Sequence, residues 1–171
     1  MKDIKQLDSD LFKYLHGGTY CDNRVPFSNW ALEIVQKVAE RSTCVRRQAG
    51  AMAVAVDNSI LSIGYNGVPR GVKHCIERPC PGAKDPPGNT DNCLAVHAEV
   101  NCILNAGDVR RIYAIYCSAS PCLKCACIMA NLPDLKKVVY YEEYPDIRGL
   151  TLLRSVGIDT ICAPLKKRKK E

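Results

Sequence analysis

Two short segments restrict this chain more than anything else in it: His97-Ala98-Glu99 and, beginning 24 positions after His97, Pro121-Cys122-Leu123-Lys124-Cys125. Cys122 and Cys125 stand three apart at the start of a helix that Pro121 opens, so their sulfurs project from one end and can grip one ion. His97 heads a second helical pattern, about residues 97 to 106, with Val96, Val100, Ile103 and Leu104 on one face and Gly107 as its stop. One imidazole and two thiolates make three zinc ligands and leave the fourth tetrahedral position to water, which separates a catalytic zinc from a closed structural one. The positive ends of both helices face the site and favour thiolates. Glu99, two residues beyond His97, points away from the ligand direction and suits a carboxylate that carries protons beside the metal. A redox pair, half of a four-cysteine zinc ribbon, or a core histidine would each explain one part of the set. None of them needs all four residues together.

The remaining periodicity builds an alternating fold around these segments. SNWALEIVQKVAER (28–41) places Trp30, Leu32, Ile34, Val35, Val38 and Ala39 at helical spacing behind Ser28 as N-cap. AGAMAVAVD (49–57) and ILSIGYNG (60–67) read as a hairpin about Asn58-Ser59, and RIYAIYCSA (111–119) and KKVVYYEEY (136–144) read as strands. GLTLLRSVG reads as a helix that Gly157 ends, and IDTICAPL as a short closing strand. A hairpin followed by helix and strand units predicts a two- or three-layer α/β domain over residues 26–165, its mixed sheet parallel in the second half. An N-terminal extension (1–25) precedes it and a basic tail (166–171) follows.

Composition narrows the partners. The 171 residues carry 24 Lys and Arg against 18 Asp and Glu, but the tail holds five of the bases and one of the acids, leaving 19 against 17. Such a near-neutral body argues against a phosphate-backbone face and hence against nucleic acid. Residues 1–10 lack the apolar stretch of a signal peptide, and no run reaches the roughly 18 apolar residues of a membrane span, so a cytoplasmic location is expected. Eleven cysteines in such a chain point to metal binding before disulfides.

The pairing of His-x-Glu with Pro-Cys-x-x-Cys is the signature of the zinc nucleobase deaminases. From about Trp30 to Thr160 the chain resembles the cytidine deaminase superfamily, and within it the deoxycytidylate deaminases of bacteria and phages. The resemblance is carried by Arg41-Ser42-Thr43-Cys44, Arg46 ahead of Gly50-Ala51, Gly64-Tyr65-Asn66-Gly67-Val68-Pro69-Arg70-Gly71, His74-Cys75, Cys80, and Cys93 four before His97. It implies a cytidine deaminase-like fold, a five-stranded mixed sheet flanked by helices with zinc at two helix N-termini. It implies hydrolysis of dCMP to dUMP, with His97, Cys122 and Cys125 on the zinc and Glu99 as the catalytic proton carrier. Asn66 is expected at the deoxyribose hydroxyl, Ala98 and Tyr140 near the substrate, and Arg46 on the phosphate, with Arg47, Arg70 and Arg110 as the alternatives for that contact. Homo-oligomers, hexamers among them, are implied too. So are dCTP and dTTP as effectors near Gly64, Tyr65, Asn66 and Gly67, a triphosphate bringing Mg2+ with it. Action on dCTP or a polynucleotide, and a zinc-stabilised nucleotide-binding regulator without catalysis, are the alternatives. Glu99 speaks against the last, because a binding module gains nothing from a proton carrier.

Half of the prolines lie between Val68 and Asn92, a stretch too polar to hold itself by apolar burial. His74, Cys75, Cys80 and Cys93, with Cys44 approaching the same side, could staple it around a second, structural zinc; reduced thiols without metal are the other reading. Cys102 and Cys127 are expected to be inert, and Cys21, Cys117 and Cys162 to be small packing residues.

Overall fold

The computed structural model describes residues 24–86, 89, 92–163 and 165. Most of the expected extension, Cys21 and the basic tail lie outside the described residues. Helix α1 (Phe27–Ala39) leads into strand β1 (Gly50–Val54), strand β2 (Ile60–Tyr65), helix α2 (Ala98–Leu104), strand β3 (Ala114–Ala119), helix α3 (Leu123–Met129), strand β4 (Lys137–Glu142), helix α4 (Arg148–Ser155) and strand β5 (Asp159–Cys162). The sheet runs β2-β1-β3-β4-β5. Strand β1 is antiparallel to both neighbours, whereas β3, β4 and β5 are parallel, so the expected mixed sheet with a parallel second half is what forms.

Strand alternation explains the layers. Met52, Val54, Ala114, Tyr116 and Val139 meet Ala31, Leu32 and Val35 of α1 on one face. Ala51, Ala53, Ile115, Cys117, Val138 and Tyr140 project from the other face into a larger core beneath α2, α3 and α4. All five residues of β1 are buried because both faces are covered, which makes the domain three-layered.

Two local expectations differ. Ser28 is not the cap of α1: Pro26 takes that place, its carbonyl accepting from the backbone N–H groups of Asn29 and Trp30, and Ser28 Oγ instead approaches the Tyr116 hydroxyl at 3.5 Å. Trp30 is 40% exposed rather than core, its ring tilted 47° to that of Phe27 with centroids 5.4 Å apart. No helix among the described residues is long and apolar enough to cross a membrane.

Candidate metal centre

The site lies at the sheet end where β2, β3 and β4 have their carboxyl ends, the usual place for ligands in parallel-rich sheets. Beyond β2 the chain stays extended, and Gly67 forms a bridge with Val96, donating to its carbonyl at 3.2 Å and accepting from its N–H at 2.8 Å. That bridge delivers His97 to the N-cap of α2. Helix α2 lies directly on β2 because Gly64 has no side chain: a Cβ there would sit 2.5 Å from the Ala98 carbonyl oxygen and 2.8 Å from Cys102 Cα. Beyond β3, Ser120 and Pro121 bring Cys122 to the N-cap of α3, with Cys125 in its first turn.

His97 Nδ1 is 3.2 Å from Cys125 Sγ and 3.5 Å from Cys122 Sγ, and the three donor atoms all lie within 4.8 Å of one another. Zinc takes thiolate sulfur at about 2.3 Å and imidazole nitrogen at about 2.0–2.1 Å, so donors on one tetrahedral ion stand roughly 3.6 Å apart. The residues fit the ion, and they form the only such group among the described residues. The Cys122 thiol is drawn down to about 4, mainly by a hydrogen bond from the Cys125 thiol and further by His97, while Cys125 is pushed up by sharing that proton and by burial. His97 is raised by its hydrogen bond to Cys122. Cys122 is thus the thiol more readily ionised, and a bound ion would require the proton of Cys125 to leave as well.

Glu99 sits in the first turn of α2, 9% exposed. Burial raises its carboxyl above the ordinary range, against pulls from its own backbone N–H, His97 and the Cys125 thiol. A buried carboxyl with an elevated pKa beside a metal site is suited to move protons in both directions.

The other expected residues have different surroundings. Asn66 is 8% exposed and spends its amide on backbone: Oδ1 accepts from Ala49 N–H and Nδ2 donates to the Arg47 carbonyl, both at 2.8 Å. Ser42 joins this brace, donating to the Asn66 carbonyl at 2.8 Å and accepting from Cys44 N–H. Arg46 donates to the carbonyls of Gly82, Asn89 and Pro86 at 3.1, 2.8 and 3.1 Å, which makes it a clasp on the long loop. Arg47 instead meets Glu142 at 2.6 Å and lies over the Tyr144 ring, next to the carboxyl end of β4. Arg110 pairs with Asp108 just before β3, at the end of the sheet opposite the metal donors. Ala98 is 1% exposed, and Tyr140 is a core residue at 1%.

Among the loop cysteines, Cys80 receives hydrogen bonds from the Leu94 N–H and from the thiols of Cys75 and Cys93, which together draw it down. Burial raises Cys75 and Cys93, and the charge of Cys44 adds to both. His74 is turned to Thr43, Nδ1 to Oγ1 3.1 Å. The thiols of Cys75, Cys80 and Cys93 are therefore neighbours, but no three of these donors approach one another as closely as the His97 set.

The Asn66 brace and the Arg46 clasp carry no sequence motif of their own. Their partners are backbone groups that only the fold brings near.

Comparison with known proteins agrees with this geometry. The chain is 35% identical over 141 residues to the deoxycytidylate deaminase of Schizosaccharomyces pombe, covering 79% of this chain and 43% of that one. It therefore spans less than half of that relative's length. Against the deoxycytidylate deaminase of Mycobacterium phage D29 it is 33% identical over 71% of this chain and 98% of the phage protein. The crystal structure of the cyanophage S-TIM5 dCMP deaminase in complex with dCMP and dUMP superimposes with a TM-score of 0.65 at 26% identity, over 81% of this chain and 98% of that one. The model of the cytidine and deoxycytidylate deaminase zinc-binding region matches residues 27–142, a stretch that contains all three metal donors and Glu99, and the chain belongs to that family.

Proposed function

We propose that this chain hydrolyses dCMP to dUMP and ammonia at the His97, Cys122 and Cys125 site. The observation that carries the reading is Glu99, a buried carboxyl held beside three convergent metal donors. Zinc, when bound there, supplies the Lewis acidity that makes water a nucleophile near neutral pH. Glu99 takes one proton from the attacking water and gives it to ring N3 as oxygen bonds to C4, then takes the second proton from the new C4 hydroxyl and delivers it to the departing amine as the C4–N bond breaks and C4=O forms. The family relatives named deoxycytidylate deaminase, and the cyanophage enzyme crystallised with dCMP and dUMP, support the choice of substrate.

Arg47 takes the phosphate in this proposal, exchanging its solvent-exposed pairing with Glu142 at the site's end of the sheet, while Arg46 is committed to three loop carbonyls. Asn66 then acts on the sugar pocket through the 42–49 backbone it braces. The loop thiols Cys44, Cys75, Cys80 and Cys93 hold a second, structural zinc. Their mutual contacts support this, and His74 is left out because its Nδ1 is turned to Thr43. Control by dCTP or dTTP, with Mg2+ on the triphosphate, and a hexamer rest on the family resemblance, with Tyr65 at 38% exposure and open space around Gly67 offering the surface. The ten free cysteines among the described residues suit a reducing cytoplasm.

The test is an absorbance assay of purified protein on deoxycytidine, dCMP, dCTP and CMP. Preferred turnover of dCMP is expected. Binding of dCMP without turnover by zinc-loaded protein would leave the non-catalytic regulator instead.

A further inference from the structure

Helix α4 carries no metal donor and no charged group directed at the site, yet its first turn rests on the peptide that presents Cys122. At Gly149 a Cβ would fall well inside van der Waals distance of the Pro121 carbonyl oxygen and 3.0 Å from both the carbonyl carbon and the oxygen of Cys122. All three are backbone atoms, so no side-chain rotation relieves the contact. Behind Gly149, Leu150 and Leu153 are buried at 4% and 0% in the core shared with Cys125 and Ala126, so α4 cannot retreat without opening that core. The Pro121 and Cys122 peptide is therefore pinned between β3, where Ser120 N–H donates to the Glu142 carbonyl at 2.9 Å, and the bare surface of Gly149.

We infer that Gly149 is a positioning residue of the metal centre: its missing side chain sets where the Cys122 sulfur stands relative to His97. The inference rests on the reading of His97, Cys122 and Cys125 as ligands. Any side chain at 149 moves the Cys122 backbone by a sizeable fraction of an ångström, and a metal site tolerates little error in donor position. Displacing what supports a ligand costs about 10- to 100-fold in metal affinity.

The experiment loads full-length protein with Co2+, records the thiolate-to-cobalt bands, and follows metal release to a chelator. Bands lost in Cys122→Ala define the site; if that variant loses none, the ligand reading itself fails and Gly149 has nothing to position. Gly149→Ala is expected to shift or weaken those bands and to speed release by about 10- to 100-fold. Gly157→Ala is the control. Its φ of +81° makes alanine strained at the far end of the same helix, so it lowers the melting temperature without touching Cys122. Its bands and release should stay within about two-fold of the unaltered protein, well below the range for a displaced ligand support. Unchanged bands in Gly149→Ala, or equal changes in both variants, would overturn the assignment. Should Gly149→Ala not fold, amide exchange on the unaltered protein decides. Coupling between ligand and helix is reciprocal, so stripping the metal should speed exchange of the Thr151 N–H, bonded to the Ile147 carbonyl at 3.0 Å, and leave the Ile158 N–H unchanged. Acceleration at Ala126 N–H with none at Thr151 would refute it.

Discussion

The chain gathers thiols in two places, and it builds them differently. Cys122 and Cys125 sit at the cap and first turn of α3, with His97 capping α2, so each donor inherits its place from a regular element packed on the sheet. Cys44, Cys75, Cys80 and Cys93 sit on irregular backbone that is held by the Arg46 clasp, by Gly82 against the Asn92 and Cys93 backbone, and by their own contacts. The first cluster is tight before any ion binds. The second is a loose set that a metal would have to draw in. A site that must react needs donors fixed by the fold, whereas a site that only staples a loop can let the ion do the organising.

The sharpest way to break this comparison is at the first cluster. Cys122→Ala and Cys125→Ala should each lose the catalytic metal and all measurable turnover while the domain still folds, and metal analysis showing undiminished zinc in both would refute the ligand set. Glu99→Gln should keep the metal and lose about 10²- to 10⁴-fold in kcat, the range for a proton carrier. Half-maximal activity in a zinc-replete Glu99→Gln protein would remove Glu99 from the mechanism.

Arg46 and Arg47 separate the two regions in another way, with effects one step smaller. Arg47→Ala should raise KM for dCMP about ten- to hundred-fold and leave slow turnover of deoxycytidine unchanged, because the nucleoside never used that contact. Arg46→Ala should instead depress both substrates in parallel and make the 68–92 loop a target for limited proteolysis, since three carbonyls lose their donor. The opposite pattern would return the phosphate to Arg46.

The sequence was informative about the first region for a physical reason. A Cys-x-x-Cys pair at one helix start and a histidine at another leave few relative placements, so spacing alone pointed to the three donor atoms that the fold brings within 4.8 Å of one another. The order of elements was equally legible, because the sheet follows hydrophobic alternation and its turns carry Asn58 and Gly157. Asn66, Arg46 and Tyr140 were not. The first two are defined by carbonyls up to 43 residues away, which no local pattern records. Tyr140 lies on a strand whose two faces are both covered, so alternation says only that it is inside.

Weaker in effect, but aimed at the loose cluster, is Cys80→Ser. Cys80 contacts both Cys75 and Cys93, so its loss should lower bound zinc by one equivalent per chain, destabilise the loop, and leave the bands of the catalytic site in place. One equivalent before and after would show that the loop holds its thiols without metal, and two before and after would show that Cys80 is not a ligand of the second ion.

The smallest effect is expected at Cys102, a thiol that belongs to neither cluster although it lies on the same helix as His97. It is fully buried, with its sulfur 3.3 Å from Ser62 Oγ, and burial pushes it up to about 11. It is therefore protonated at neutral pH and should resist alkylation, while exposed Cys127 and Cys162 react. Cys102→Ala removes one sulfur from the core and should cost about 1 kcal/mol, with metal content and kcat unchanged. The titration gives a second signature. Because the folded chain holds this proton above the ordinary thiol value of about 9, the unfolded chain releases it first, and stability falls as pH rises from about 9 to 11. Cys102→Ala should flatten that part of the stability profile. A steeper decline, or loss of zinc from this variant, would mean that the buried thiol is tied to the catalytic centre after all.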